Sequence, residues 1–190
     1  INMFVEDIRE NCISLNNEFG GYLATQTIIE QGHLNIAYIA GPQYKRDSHE
    51  RLAGHKRALA NNNIPFDISL YYEGDYRETG GSNGLKHLIN NNKNFTALIC
   101  ANDEMASGSM TYAREHGFSL PNDLSIIGFD NNNFARHTYP KLTTIDNPVN
   151  EMGKMAAKLV LQDVYKQKDL SIKHFFEPTL IIRDSVVCKT

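Results

Sequence analysis

The chain has no surplus of positive charge. Its 190 residues carry 19 lysines and arginines against 22 aspartates and glutamates, a formal net charge of −3. That excludes the basic surface which phosphate neutralisation requires of a free-standing nucleic-acid binder, so if DNA is a partner, another segment must touch it. Cysteine is scarce as well. Cys12, Cys100 and Cys188 lie far apart and are odd in number, which gives neither a disulfide framework nor a zinc-ligand spacing. This usage fits a reducing compartment, and a cytoplasmic protein is expected. No apolar run approaches the length that spans a bilayer, and residues 1–10 lack the basic-then-apolar order of a signal peptide. There is no sequence repeat, low-complexity tract or flexible linker. What remains, 41% apolar and 22% charged residues, is the make-up of an ordinary folded protein with one or two cores.

What is present is an alternation. Short β-branched or apolar runs at 12–15, 36–40, 68–72, 97–100, 125–129 and 142–145 predict strands. Amphipathic segments at 18–31, 47–62, 77–91 and 103–116 predict helices between them. A longer helix, from about 148 to 167, carries Met152, Met155, Ala156, Leu159, Val160 and Val164 at spacings of three and four, an apolar stripe wide enough to bury. Residues 174–183 read as extended. This order predicts an α/β fold with a doubly wound parallel sheet. The strand at 12–15 has no partner before it, and a lone strand is not stable. It either joins the main sheet or belongs to half a domain lying upstream.

In open α/β sheets, ligands bind in the crevice outside the carboxyl ends of the strands. The polar residues after the predicted strands form a coherent set: Arg51 beyond the loop 41–50, Asp75 and Tyr76, Asn102 and Asp103, and Asp130. A planar forked donor, a mixed donor and acceptor, and a pure acceptor match neighbouring hydroxyls of a polyol, and Tyr76 offers an aromatic face to a sugar ring. Each residue also has a plainer reading. Asp103 and Asp130 suit a helix cap or turn acceptor, Arg51 could pair with Glu50 or Asp47 on a solvated helix face, and Tyr76 could be loop packing.

Sharper signals fail on their context. Gly80-Gly81-Ser82-Asn83-Gly84 has the spacing of a nucleophile elbow, but no strand runs directly into Ser82, and the glycines read as a helix entry. A hydrolase using Ser82 is therefore a remote reading. No Gly-Lys-Ser/Thr follows Gly20-Gly21, and the histidines lack ligand spacing. His33 suits a backbone bond at a helix-to-strand turn. The tract Asp130-Asn131-Asn132-Asn133 lacks the glycine turn and terminal glutamate of a calcium loop and reads as a flexible rim. Neither a metal nor another cofactor is implied.

Several segments together resemble the lactose-repressor/galactose-repressor family of transcriptional regulators: Gly20-Gly21-Tyr22-Leu23-Ala24, Gly41-Pro42, Arg51-Leu52-Ala53-Gly54, Asn102-Asp103-Glu104-Met105-Ala106, Ile127-Gly128-Phe129-Asp130 and Leu142-Thr143-Thr144-Ile145. The run Asn94-Phe95-Thr96-Ala97 and the ending Phe176-Glu177-Pro178-Thr179-Leu180 are most similar to the galactose-repressor branch. The resemblance implies a core like that of type I periplasmic sugar-binding proteins, with two doubly wound parallel-sheet lobes, here truncated at the N-terminus. On that plan residues 1–31 end the N-terminal lobe, 32–145 form the C-terminal lobe, 146–175 return to the first, and 176–190 make the final crossing.

The resemblance further implies a sugar effector, a hexose such as galactose, held by Arg51, Asn102 and Asp130, with Tyr76 as the aromatic contact and Asn147 beside the crossing. It implies a binding switch and not an enzyme, a homodimer, no membrane, and operator DNA bound through a headpiece upstream of this chain. The helix at 103–116, with Met105, Met110 and Tyr112, is either part of the dimer face or core packing. Asn16 departs from the aspartate common in the family. A periplasmic sugar-binding protein of a transport system is the alternative on the same fold.

Overall fold

The structure is a computed structural model that describes residues 11–91 and 94–189. In chain order the elements are β1 (Ser14–Leu15), α1 (Asn17–Glu30), β2 (Ile36–Ala40), α2 (Arg46–Asn61), β3 (Tyr71–Glu73), α3 (Glu78–Asn91) and β4 (Ala97–Cys100). They continue with α4 (Asp103–Glu115), β5 (Ser125–Asp130), β6 (Thr143–Asp146), α5 (Val149–Asp163), β7 (Phe175–Phe176) and β8 (Thr179–Ile181). The opening residues 1–10 lie outside the described residues.

Six strands form one sheet in the order β3-β2-β4-β5-β6-β8, parallel except for β8, which runs against β6. The buried runs of β2, β4 and β5 explain why they occupy its middle: every residue of β2 and β4 is buried, as is β5 up to Phe129. Strands covered on both faces are apolar throughout and do not alternate. Helices α1 and α2 pack together, as do α3 and α4. The chain steps outward from β2 to β3 and then reverses across β2 to β4, so the topological switch lies at the carboxyl ends of β2 and β4.

Two glycines set the distance between α1 and α2. A β-carbon on Gly21 would lie 2.0 Å from the Arg51 carbonyl oxygen, and one on Gly54 would lie 1.9 Å from that of Glu18. The helices therefore meet backbone to backbone. Between them the Thr25 hydroxyl bonds His55 Nδ1 at 2.9 Å, and His55 stacks on Tyr38 at 4.5 Å. Burial holds the His55 imidazole down at about 3, so this core histidine is neutral.

The expected α/β class is present, with three local differences. Ile68–Leu70 is a 3-10 turn and not strand, because the Asp67 carboxylate accepts the Ser69 N–H and closes the turn; the strand starts at Tyr71. The last long helix stops at Asp163. Its stripe buries only Met152, while Val160 and Val164 are exposed. Finally, β1 does not join the main sheet: it pairs in parallel with β7, giving a separate two-stranded sheet. Among the described residues of the segment 1–31, β1 pairs with β7. Helix α1 packs on α2 and reaches β6 and β8.

Candidate effector-binding site

Helix α2 buries Ser48, Arg51, Leu52, His55, Ala58 and Leu59, residues three and four apart that make its sheet-facing stripe. Arg51 is the polar member nearest the switch point, and it is 3% exposed. Its guanidinium spans three elements. Nε donates to Asn17 Oδ1 at 3.0 Å, Nη1 donates to the Ala101 carbonyl at 2.6 Å, and Nη2 lies 3.7 Å from Asp130 Oδ1. The guanidinium carbon stands 3.6 Å from the centre of the Phe129 ring. A buried cation is tolerated when its donors are filled and a counter-charge is near. The pairing with Glu50 weighed from sequence does not occur: Arg46 holds Glu50 at 2.6 Å.

Asp130 ends β5 with φ of +109°, a conformation that disfavours a side chain, and Asn131 follows at +52°. Burial pushes the Asp130 carboxyl upward from the ordinary range, Arg51 and the Asn147 hydrogen bond pull it back, and Asp47 adds to the rise. The Asn147 amide donates to Asp130 Oδ1 at 3.1 Å. Beyond β4, Asn102 caps α4: its Oδ1 accepts the Met105 N–H at 3.0 Å, and its Nδ2 donates to the Tyr76 carbonyl at 2.9 Å. Asn102 thus fixes the Tyr76 backbone, which itself sits at φ of +69°.

The Tyr76 ring lies on Gly41, where a β-carbon would be 2.2 Å from the ring. Burial pushes its phenol up to about 12 despite the nearby Arg51, so it is a neutral donor and acceptor. Ser48 and Asp47 approach the phenol, yet Tyr76 Oη makes no hydrogen bond. Among the described residues it and Asn147 Oδ1 are the buried side-chain polar atoms left without a partner. Buried polar groups are ordinarily satisfied, and an orphan needs an explanation. Here one orphan belongs to Asn147, which bonds Asp130 beside Arg51, and the other to Tyr76, whose backbone Asn102 holds.

The five residues expected from sequence fall into two groups of contacts. Arg51, Asp130 and Asn147 form one chain of contacts, and Asn102 and Tyr76 form a second, coupled to the first through the electrostatic influence of Arg51 on Tyr76. Sequence reasoning missed Asn17, which binds Arg51 directly, and Phe129, which stacks on it. Asn17 stands two residues past the end of β1, so the same search at strand ends would have found it. Asn17 also lines an adjoining cavity of about 440 Å³ bordered by Asn16, Arg46, Glu50 and Phe175.

The plainer readings separate. Asn102, not Asp103, caps α4. Asp103 is fully buried and pushed up to about 7 by burial, against the pull of its bonds from Thr144 and Asn132. Met105 and Met110 are buried in the core, so core packing and not a dimer face accounts for them. Ser82 donates to the Gly108 carbonyl at 2.9 Å inside α3, on no strand-to-helix elbow. His33 bonds the Thr96 hydroxyl and the Val187 carbonyl. The tract after Asp130 is not a loose rim: Asn131 is held at 2.7 Å by Asp146 and at 2.6 Å by Arg183. Among the described residues no cluster of metal-ligand type is found, and no helix is long and apolar enough to cross a membrane.

Comparison with known proteins identifies the fold and the family. The model of the periplasmic-binding-protein-like domain matches residues 25–186. The chain is 37% identical to the HTH-type transcriptional regulator GalR of Salmonella typhimurium over all of its length and 56% of that protein. It is also 37% identical to the HTH-type transcriptional repressor PurR of Aliivibrio fischeri, over 90% of this chain and 52% of that one. The chain thus spans about half the length of the curated relatives it matches. Among solved structures, a sugar-binding transcriptional regulator of the LacI family from Escherichia coli superposes with a TM-score of 0.93 at 30% identity, covering 99% of this chain and 67% of that one.

Proposed function

The chain belongs to the periplasmic-binding-protein-like domain family, among the transcriptional regulators of its lactose-repressor/galactose-repressor branch, and from that premise we propose that it is the effector-binding core of a sugar-responsive repressor. The single observation that carries the reading is the pair of buried, unpartnered polar atoms, Tyr76 Oη and Asn147 Oδ1, the second bonded into the chain with Asp130 and Arg51 and the first under the electrostatic influence of the same Arg51. Two hydroxyls of a monosaccharide complete such a set. Asp130 accepts from one hydroxyl, Arg51 donates to a second, and the Tyr76 ring covers an apolar patch of the sugar. A hexose such as galactose is the favoured effector, because the GalR relative matches this chain along its whole length.

In this reading the six-stranded unit is one lobe, and β1, α5 and β7 belong to the other. The chain crosses at Asn16, again at Asn147 and finally at Glu177. Sugar in the crevice favours one arrangement of the lobes by binding it more tightly than the other. The net charge of −3 assigns operator DNA to a different segment of the longer protein. A homodimer transmits the change, through a face other than Met105 and Met110. The transport alternative finds no comparable support, since the relatives named above are transcriptional regulators.

Calorimetric titration of the whole protein with galactose, glucose, ribose, lactose and a purine tests the assignment. The expected result is saturable binding of one sugar with a dissociation constant of about micromolar order, roughly 8 kcal/mol. Binding of the purine alone, or of nothing, contradicts the sugar reading and leaves the fold untouched.

A further inference from the structure

The strained turn that presents Asp130 is held by a group with no role in the site so far. Asp103, in the first turn of α4, turns its carboxyl across the end of the sheet. Oδ2 accepts the Asn132 N–H at 2.7 Å, and Oδ1 accepts the Thr144 hydroxyl at 2.6 Å. Thr144 in turn accepts the Asn131 N–H at 3.3 Å. The two backbone N–H groups that follow Asp130 are thus tied to one carboxyl, directly and through one hydroxyl. Both Asp103 and Thr144 are fully buried. Gly128 leaves the space: a β-carbon there would be 2.2 Å from Asp103 Oδ1.

A residue such as Asp130 at φ of +109° stays in that conformation only when its surroundings over-determine it. The bonds to Asn131 and Asn132 do so. We propose that Asp103 is a positioning residue, which holds the 130–132 turn in the strained form that aims the Asp130 carboxylate at the effector. The proposal rests on the reading of Asp130 as an effector contact. It deepens that reading by placing the control of Asp130 on α4, outside the set that touches sugar. The charged or titratable groups that act on Asp103 are Asp130 from β5 and Arg183 beyond β8, and Asp103 acts on Cys100 of β4. Because burial already drives Asp103 toward its neutral form, the neutral amide of Asp103→Asn is a close substitute: its oxygen accepts the Asn132 N–H while its amide donates to Thr144. Asp103→Ala offers neither.

The test is amide hydrogen exchange, read residue by residue in the whole protein, together with titration of D-galactose. In Asp103→Ala the Asn131 and Asn132 amides exchange at least about tenfold faster while those of β2 and β4 keep their protection, and galactose affinity falls about tenfold. Asp103→Asn restores most of both. A purely structural aspartate would instead raise exchange throughout α4 and β5 alike, with no local signature, and that result overturns the proposal. Unchanged exchange at 131 and 132 overturns it too, as does altered exchange with unchanged galactose affinity. If Asp103→Ala does not fold, Thr144→Val removes the hydroxyl arm and is expected to release Asn131 selectively; full retention of that protection counts against the proposal. If the wild-type protein does not bind galactose, the sugar reading fails separately, and the exchange data still decide the role of Asp103.

Discussion

Replacing Arg51 with alanine is expected to abolish measurable sugar binding and to lower stability by about 3 kcal/mol. Arg51 is 3% exposed and serves Asn17, the Ala101 carbonyl and Asp130 at once. Its removal leaves a buried carbonyl and amide oxygen without donors and the Asp130 carboxylate without its cation, and breaking a buried pair from one side costs roughly 3–5 kcal/mol. The partial exposure of Asp130, 24% of its side chain, keeps the cost at the lower end of that range. For a chain of this size the loss lowers Tm by roughly 6–12 °C. The sugar loses a charged forked donor and a correctly held Asp130 together, which amounts to at least about a hundredfold in affinity. Arg51→Lys keeps the charge but not the fork, and should recover stability better than binding. Thermal melts and galactose titration of the three proteins check this; an alanine variant that binds like wild type would sink the role of Arg51.

The second large effect needs no contact with ligand. Gly54→Val places a branched side chain where even a β-carbon would be 1.9 Å from the Glu18 carbonyl and 2.6 Å from the Tyr22 nitrogen. Both neighbours are helix backbone and cannot swing away, so α1 and α2 must part. Overpacking of this kind costs about 1–3 kcal/mol and occasionally more. Here the upper end is expected, with a weakened site as well, because Gly21 rests on the carbonyl of Arg51 itself. Gly153→Ala is the contrasting change. Nothing lies within 4 Å of its β-carbon, and an alanine inside α5 should raise stability by about 0.5–1 kcal/mol. Chemical denaturation of both variants reads the two signs directly. Equal behaviour would show that the α1–α2 contact is not as close as described.

The legible parts of the fold are those where burial is complete. β2 and β4 have the limits expected from their apolar runs, because strands covered on both faces leave no polar residue to blur the ends. Ile68–Leu70 was illegible for the opposite reason: the run is apolar, but Ile68 is 70% exposed and a local bond from Asp67 decides the backbone. The stripe on α5 was visible, yet periodicity says only that a face is apolar. Among the described residues little beyond Met152, Met155 and Ala156 meets the core.

The candidate site was legible to the extent that it obeys one topological rule. Looking just past each strand of an α/β sheet finds Tyr76, Asn102, Asp130 and Asn147, with Arg51 a turn into the following helix. What the rule cannot supply is which side chains complete one another across elements. Phe129 under the guanidinium, and Asp103 holding the turn after Asp130 instead of capping its own helix, depend on distances between residues 78, 29 and 41 positions apart in sequence, and no local pattern encodes them.

A structure of the whole protein with galactose bound is the most direct test of the central claim, that Arg51, Tyr76, Asn102, Asp130 and Asn147 frame one effector site. The account predicts sugar hydroxyls at hydrogen-bonding distance, roughly 2.6–3.2 Å, from Tyr76 Oη and Asn147 Oδ1, with Asp130 and Arg51 on neighbouring hydroxyls. Sugar bound elsewhere, for instance in the cavity between Asn16, Arg46 and Glu50, with those two atoms still unpartnered, would contradict it.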